Sequence, residues 1–158
     1  MPVIDFSIAI AAPLARVFDL ARSIDLHQAS QSHHRERAVG GTTSGLIGPG
    51  EEVTWRAAHL GLTMRLTSRI TAFDPPRHFR DSMVRGPFRG FDHDHFFSEQ
   101  DGLTAMREVF DYTSPLGPLG RLADRLFLAA YMTRFLTEKA DFLKAVAESD
   151  AWRDYLAQ

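Results

Sequence analysis

The sequence contains no cysteine. That excludes disulfides, zinc–thiolate centres and thiol nucleophiles. Tyrosine and tryptophan are scarce, at three and two residues against twelve phenylalanines, an aromatic set suited to filling a core or lining an apolar pocket. Charge of one sign is also missing. The 18 basic and 20 acidic side chains leave a formal net charge of −2 and a pI near 6.4, which favours neither nucleic acid nor an anionic membrane as partner. No apolar run approaches the ~18 residues of a transmembrane helix. The opening MPVIDFSIAI carries Asp5 within its apolar run and lacks a basic stretch, unlike a signal peptide. The expectation is a cytoplasmic protein without stable membrane insertion. Three glycines between Gly45 and Gly50 lack the Lys-Ser/Thr ending of a phosphate-binding loop. No internal repeat, linker or low-complexity segment interrupts the chain.

What is present centres on Pro115 to Ala147. No proline or glycine falls between Arg121 and Ser149, and Leu119, Leu122, Leu126, Ala130 and Thr133 recur at helical spacing. Phe127, Tyr131, Phe135, Phe142 and Val146 do so less regularly. The spacing predicts one long helix, roughly 40 Å for some 27 residues, which needs an apolar surface of matching length. The upstream chain supplies strands. Ile4, Phe6, Ile8 and Ile10 alternate with Val3, Asp5, Ser7 and Ala9 in a half-buried strand. Pro13 leads into a short helix carrying Leu14, Val17, Phe18 and Ala21, and Ser23 is an N-cap for a second short helix ending near Gln31. A strand around Arg35 to Val39, a bulge or turn at Gly40-Gly41 and a further piece around Ser44 to Ile47 follow.

From Glu51 the pattern is a meander. Val53, Trp55, Ala57 and His59 share one face. Leu62, Met64, Leu66, Ser68 and Ile70 share the next, opposite a stripe of threonines with Arg65 and Arg69 that faces solvent. After the Asp74-Pro75-Pro76 turn come strands over His78–Arg85, Arg89–Phe97 and Leu103–Thr113, the last two joined through Gln100-Asp101-Gly102. The order predicts an α+β fold in which a strongly curved antiparallel β-sheet wraps around the long C-terminal helix, with two short helices after the first strand. At 158 residues the chain is one domain, drawn over 1–147, with 148–158 as a tail or helix extension.

Several stretches carry a family resemblance. They are Ala11-Ala12-Pro13 leading to Val17-Phe18, Gly45-Leu46, and Glu52-Val53-Thr54-Trp55-Arg56. Ile70-Thr71-Ala72-Phe73-Asp74-Pro75-Pro76 before Phe79 and Pro115-Leu116-Gly117-Pro118 add to them. With these the chain resembles the START-like, or Bet v 1-like, helix-grip superfamily, and within it the SRPBCC polyketide cyclase/dehydrase and lipid-transport proteins. The resemblance implies a cavity between sheet and helix. It implies no reaction, no cofactor, and no catalytic motif that carries over to a residue here.

Seven histidines raise the question of a metal. His93 and His95, two apart on a strand, face one side. A third histidine would be His59, but tight turns put it about 26 Å along and about 14 Å across the sheet, so no metal is expected. The same register places His93 near Glu108, His95 near Met106, Asp81 near His93, and Ile70 and Glu51 on one row. Asp81, His93 and Glu108 then lie among Phe79, Met83, Phe91, Phe97, Met106, Phe110 and Tyr112. Asp92 and Asp94 on the other face are expected in solvent. Three readings stay open for the row: a satisfied polar network, a polar anchor in an apolar pocket, or acid–base catalysis by His93 oriented by Asp81 or Glu108. The candidate ligand-binding set is Trp55, Leu66, Asp81, Met83, Phe91, His93, His95, Met106, Glu108 and Phe110, roofed by Leu126, Phe127 and Ala130 of the helix. Gly117 to Gly120 is a candidate hinge. The favoured function is reversible binding, as carrier or sensor, of a small hydrophobic molecule such as a lipid, polyketide or isoprenoid-like compound. The alternatives are a cyclase/dehydrase or aromatase acting on a keto substrate, and an interaction module whose cavity is self-filled.

Overall fold

The computed structural model describes residues 2–156. The elements run β1 Val3–Ile10, α1 Leu14–Ala21, α2 Ile24–Ser30, a 3-10 turn Ser32–His34, β2 Arg37–Gly41, β3 Glu52–His59, β4 Leu62–Asp74, β5 His78–Arg85, β6 Gly90–Gln100 and β7 Leu103–Thr113. The C-terminal helix follows as α3 Pro118–Ala123, a π-helical turn Asp124–Leu128 and α4 Ala129–Ala147. A 3-10 turn Asp150–Trp152 and α5 Arg153–Leu156 complete the described chain. The seven strands form one antiparallel sheet in the order β1-β7-β6-β5-β4-β3-β2. β1 and β2 stand at opposite edges, so α1 and α2 carry the chain across the sheet before the meander begins. This is the helix-grip architecture the pattern predicts.

Local chemistry sets the elements. Ser23 accepts a hydrogen bond from Leu26 N and caps α2. The register shift at Ala38/Gly40 is the bulge expected at the glycine pair. Residues 44–47 form no strand; Leu46 makes a single bridge to Ser23. The main core packs Phe18 of α1 edge-on to Phe73, Phe79 and Phe97, with centroids 5.4–5.6 Å apart. Ala140, Leu143, Val146 and Ala147 of α4 close this cluster, and Trp152, Tyr155 and Leu156 of the tail fold back onto it. A second cluster, Ile4, Phe91, Phe110, Tyr112 and Leu136, lies beneath the earlier part of the helix.

The C-terminal helix is less uniform than its spacing predicts. Asp124 is buried and accepts hydrogen bonds from Tyr112 Oη at 2.9 Å and Ser114 Oγ at 2.6 Å. These bonds tie the helix to the end of β7 where its turn widens to π geometry. Gly120 is pressed against the Pro115 carbonyl, where a Cβ would sit 1.9 Å from the oxygen. The segment expected to hinge is therefore clamped.

On the outer face, Arg37, Arg56 and Arg65 are directly opposite one another across β2, β3 and β4, and none forms an ion pair among the described residues. Like charges paired across strands destabilise a sheet. Arg56→Glu is expected to raise stability by up to about 1 kcal/mol, read as an increase in the urea midpoint that shrinks in high salt.

Candidate functional site

The polar row forms where β5, β6 and β7 lie side by side under α4. Asp81 pairs with His93, as the strand count predicts, and Ile70 pairs with Asp81. The last hairpin is two residues out. His95, not His93, lies opposite Glu108, and Met106 lies opposite Phe97. Gln100 pairs with Leu103, and Asp101 and Gly102, both at positive φ, form the turn between them. Counting His93 against Glu108 leaves no residues for that turn. An even slip keeps every side chain on its face, so Glu108 still meets both histidines.

His93, His95 and Glu108 are buried and Asp81 is half-buried. His93 Nε2 donates to Glu108 Oε2 at 2.5 Å and His95 Nε2 donates to Asp81 Oδ1 at 2.9 Å. His95 Nδ1 lies 2.9 Å from the same Glu108 oxygen, out of line for a hydrogen bond. His93 Nδ1 lies 3.8 Å from Asp81 Oδ1. The ring of His95 stacks on Phe79 at 4.2 Å and that of His93 meets Phe110 edge-on at 5.2 Å, which fixes both imidazoles.

Burial alone would push His95 down, but the Glu108 charge and the bond to Asp81 outweigh it and push it up to about 9. Burial and the neighbouring His95 push His93 below its ordinary value, against the pull of Glu108. Burial would raise Glu108, yet the two histidines hold it well below the carboxylate range. Burial would raise Asp81 too, and its bond to His95 together with the His93 charge holds it down. The row is thus two carboxylates, one imidazolium and one neutral imidazole.

A cavity of about 20 Å³ lies beside His93, His95, Glu108 and Met106, room for about one water molecule. Its roof is Leu136, Lys139, Ala140 and Leu143. The expected roof residues are elsewhere: Leu126 and Phe127 are 72% and 49% exposed, and Ala130 is exposed. They belong to the π turn and the start of α4, before the helix settles onto the row. Lys139 and His27, which also line the cavity, lie outside the set expected from the sequence. A lysine one turn from Leu136 and Leu143 in an apolar stripe is a signal that could have found the first. Trp55 is buried under a stacked His27 at 4.1 Å, and His27 is hydrogen-bonded to Glu36. Leu66, Met83, Phe91 and Phe110 belong to the second cluster. Asp94 is not solvated: it accepts from His78 Nε2 at 2.7 Å and from Arg80 at 2.9 Å. His59 bonds Tyr131 Oη at 2.7 Å. A larger hollow of about 550 Å³ lies apart from the row, beside Arg35, Arg37 and Arg56.

A seven-stranded antiparallel sheet gripping a long C-terminal helix is the helix-grip fold. The family described as polyketide cyclase/dehydrase and lipid transport matches residues 1–148, and the chain belongs to it. Solved structures agree on the fold. TTHA0849 from Thermus thermophilus superimposes with a TM-score of 0.74 at 18% identity, over 91% of this chain and 95% of that one. Protein Ms6760 from Mycobacterium smegmatis gives 0.68 at 20% identity over 91% and 89%. Major latex-like protein 151 from Panax ginseng gives 0.67 at 13% over 92% and 97%. No curated protein matches the sequence.

Removing one partner from a buried ion pair leaves the others unpaired in a poor solvent for charge. Glu108→Ala is expected to cost about 3–5 kcal/mol. Glu52→Ala, which breaks the exposed pair with Arg69, should cost no more than about 1 kcal/mol. Urea denaturation of the two variants checks the contrast.

Proposed function

We propose that the protein reversibly binds a small hydrophobic molecule, of lipid, polyketide or isoprenoid type, between the earlier part of the C-terminal helix and the inner face of the sheet. One observation carries this reading. The second apolar cluster has a closed floor of Ile4, Phe91, Phe110 and Tyr112, but the residues around it, Leu66, Met83, Phe88, Leu128, Met132 and Phe135, are only partly buried. Apolar side chains in the preceding turns are more open still, with Leu119 at 67% and Leu126 at 72% exposure. A contiguous apolar region left half open is the mark of a binding surface. Membership of a family described in part by lipid transport supports the same reading. Leu136 belongs to this cluster and also lines the polar cavity, so the His93 row lies just behind it as a polar end for a ligand's oxygen or nitrogen.

The 20 Å³ beside the row favours a second reading, an interaction module whose interior is filled by its own side chains. Acid–base chemistry on a keto compound ranks below both, because no such molecule fits beside His93 without displacing the helix.

The test is titration with the neutral apolar fluorophore N-phenyl-1-naphthylamine. The protein is expected to bind it once per chain. Met132→Trp, which enlarges a side chain facing the half-open cluster, should weaken binding at least tenfold with little loss of thermal stability. Absence of binding, or equal binding by the variant, favours the self-filled interior.

A further inference from the structure

We propose that Asp81, His93 and His95 form a binding site for one divalent transition-metal ion of the zinc type. The donor atoms converge: one ligand atom from each of Asp81, His93 and His95 lies within 4.8 Å of the other two. Asp81 Oδ1 is 2.9 Å from the His95 nitrogen and 3.8 Å from that of His93. A tetrahedral ion with bonds of about 2.0–2.1 Å needs ligand atoms about 3.3 Å apart. The two distances bracket that value, and the remaining pair of ligand atoms lies within 4.8 Å.

The outer atoms of the same rings make the stronger case. A ligating imidazole needs its second nitrogen held by an acceptor, which fixes both tautomer and ring orientation. Glu108 Oε2 supplies this on both sides. It accepts from His93 Nε2 at 2.5 Å, which turns Nδ1 of the same ring towards Asp81. It also lies 2.9 Å from His95 Nδ1, a buried atom that lacks an aligned partner. Without an ion, His95 spends its Nε2 hydrogen on Asp81. With one, that proton is displaced and His95 carries its remaining hydrogen on Nδ1, towards Glu108. Glu108 is thus a positioning residue for both ligands. Two nitrogens and one carboxylate, with no cysteine anywhere in the chain, suit zinc, iron(II) or cobalt(II) and disfavour copper(I). His93 and His95 also line the small cavity, whose carboxylate wall is Glu108 and not Asp81, so the cavity supplies no ligand to this site.

The sequence pattern raises His59 as a third ligand, rejects it on strand geometry and expects no metal; in the structure His59 is bonded to Tyr131. The third ligand proposed here is Asp81, cross-strand partner of His93.

Equilibrium dialysis of the untagged, chelator-treated protein against Zn²⁺, with Co²⁺ as spectroscopic probe, tests the assignment. The expected result is one ion per chain below about 10 µM free metal, with visible d–d absorption from Co²⁺ at low coordination number. Asp81→Asn should weaken binding at least a hundredfold. Glu108→Gln should weaken it by about 10–100-fold at unchanged stoichiometry. Circular dichroism establishes that both variants fold, and His34→Gln serves as a control at a histidine outside the row. Failure of the wild-type protein to take up either ion at about 100 µM overturns the proposal whether or not the variants fold. So does binding that survives Asp81→Asn or is lost in His34→Gln.

Discussion

Two carboxylates and two imidazoles held out of water beneath a helix constrain everything around them. A charge in that position is tolerated only if its partners are in place before the helix closes. β5, β6 and β7 supply those partners by pairing: Asp81, His93, His95 and Glu108 come from three adjacent strands and share the inner face only in registers that differ by an even number of residues. A slip of one residue would send all four to the outer face and leave their neighbours, Phe79, Phe97 and Phe110, there with them. Burial of the row and burial of the aromatic core therefore demand the same pairing. The aromatic contacts of His93 and His95 are part of that coupling, since the rings that orient the histidines also fill the core.

The helix is attached unevenly. Its later turns bring Ala140, Leu143, Val146 and Ala147 into the main core. Its beginning is secured differently, by Asp124 bonding Tyr112 and Ser114 and by Gly120 against the Pro115 carbonyl. Between these two anchors the apolar contacts are only half closed. Hydrogen bonds at one end and packing at the other hold the helix at a set height, while the stretch between has few buried contacts to lose on opening. Leu136 marks the boundary, since it touches the half-open cluster on one side and the polar cavity on the other.

Much of this was legible in the chain because the side-chain period of a strand is two. Alternation in β1, β4 and β7 showed which residues face inward, and Asp81 opposite His93 followed from counting through the Gly86-Pro87 turn. The same count failed at Asp101-Gly102, where the two residues of the turn had to be left unpaired. The error moved Glu108 from opposite His93 to opposite His95 without changing its face, so the row's membership survived and its geometry did not. The helix was harder. Its apolar positions run nearly all round, and a 3.6-residue period cannot reveal a π turn created by Asp124 reaching two distant hydroxyls. Leu126, Phe127 and Ala130 fit the expected stripe, yet the widened turn and the tether leave them outside. The roof is assembled farther along, where Lys139 interrupts an otherwise apolar face.

The size of the cavity gives the row its meaning. A pocket built only to hold an apolar ligand gains nothing from burying four ionisable groups, because apolar side chains of the same volume would cost less. A polar network built only to fix strand register needs no space beside it. Here a void with room for about one water adjoins both histidines. The carboxylate that meets both rings, Glu108, lines the void with them, whereas Asp81 lies outside its walls. A void of this size and lining suits a small, polar guest. The half-open apolar cluster beyond Leu136 is suited to a larger and less polar one. The two spaces share Leu136 as a wall.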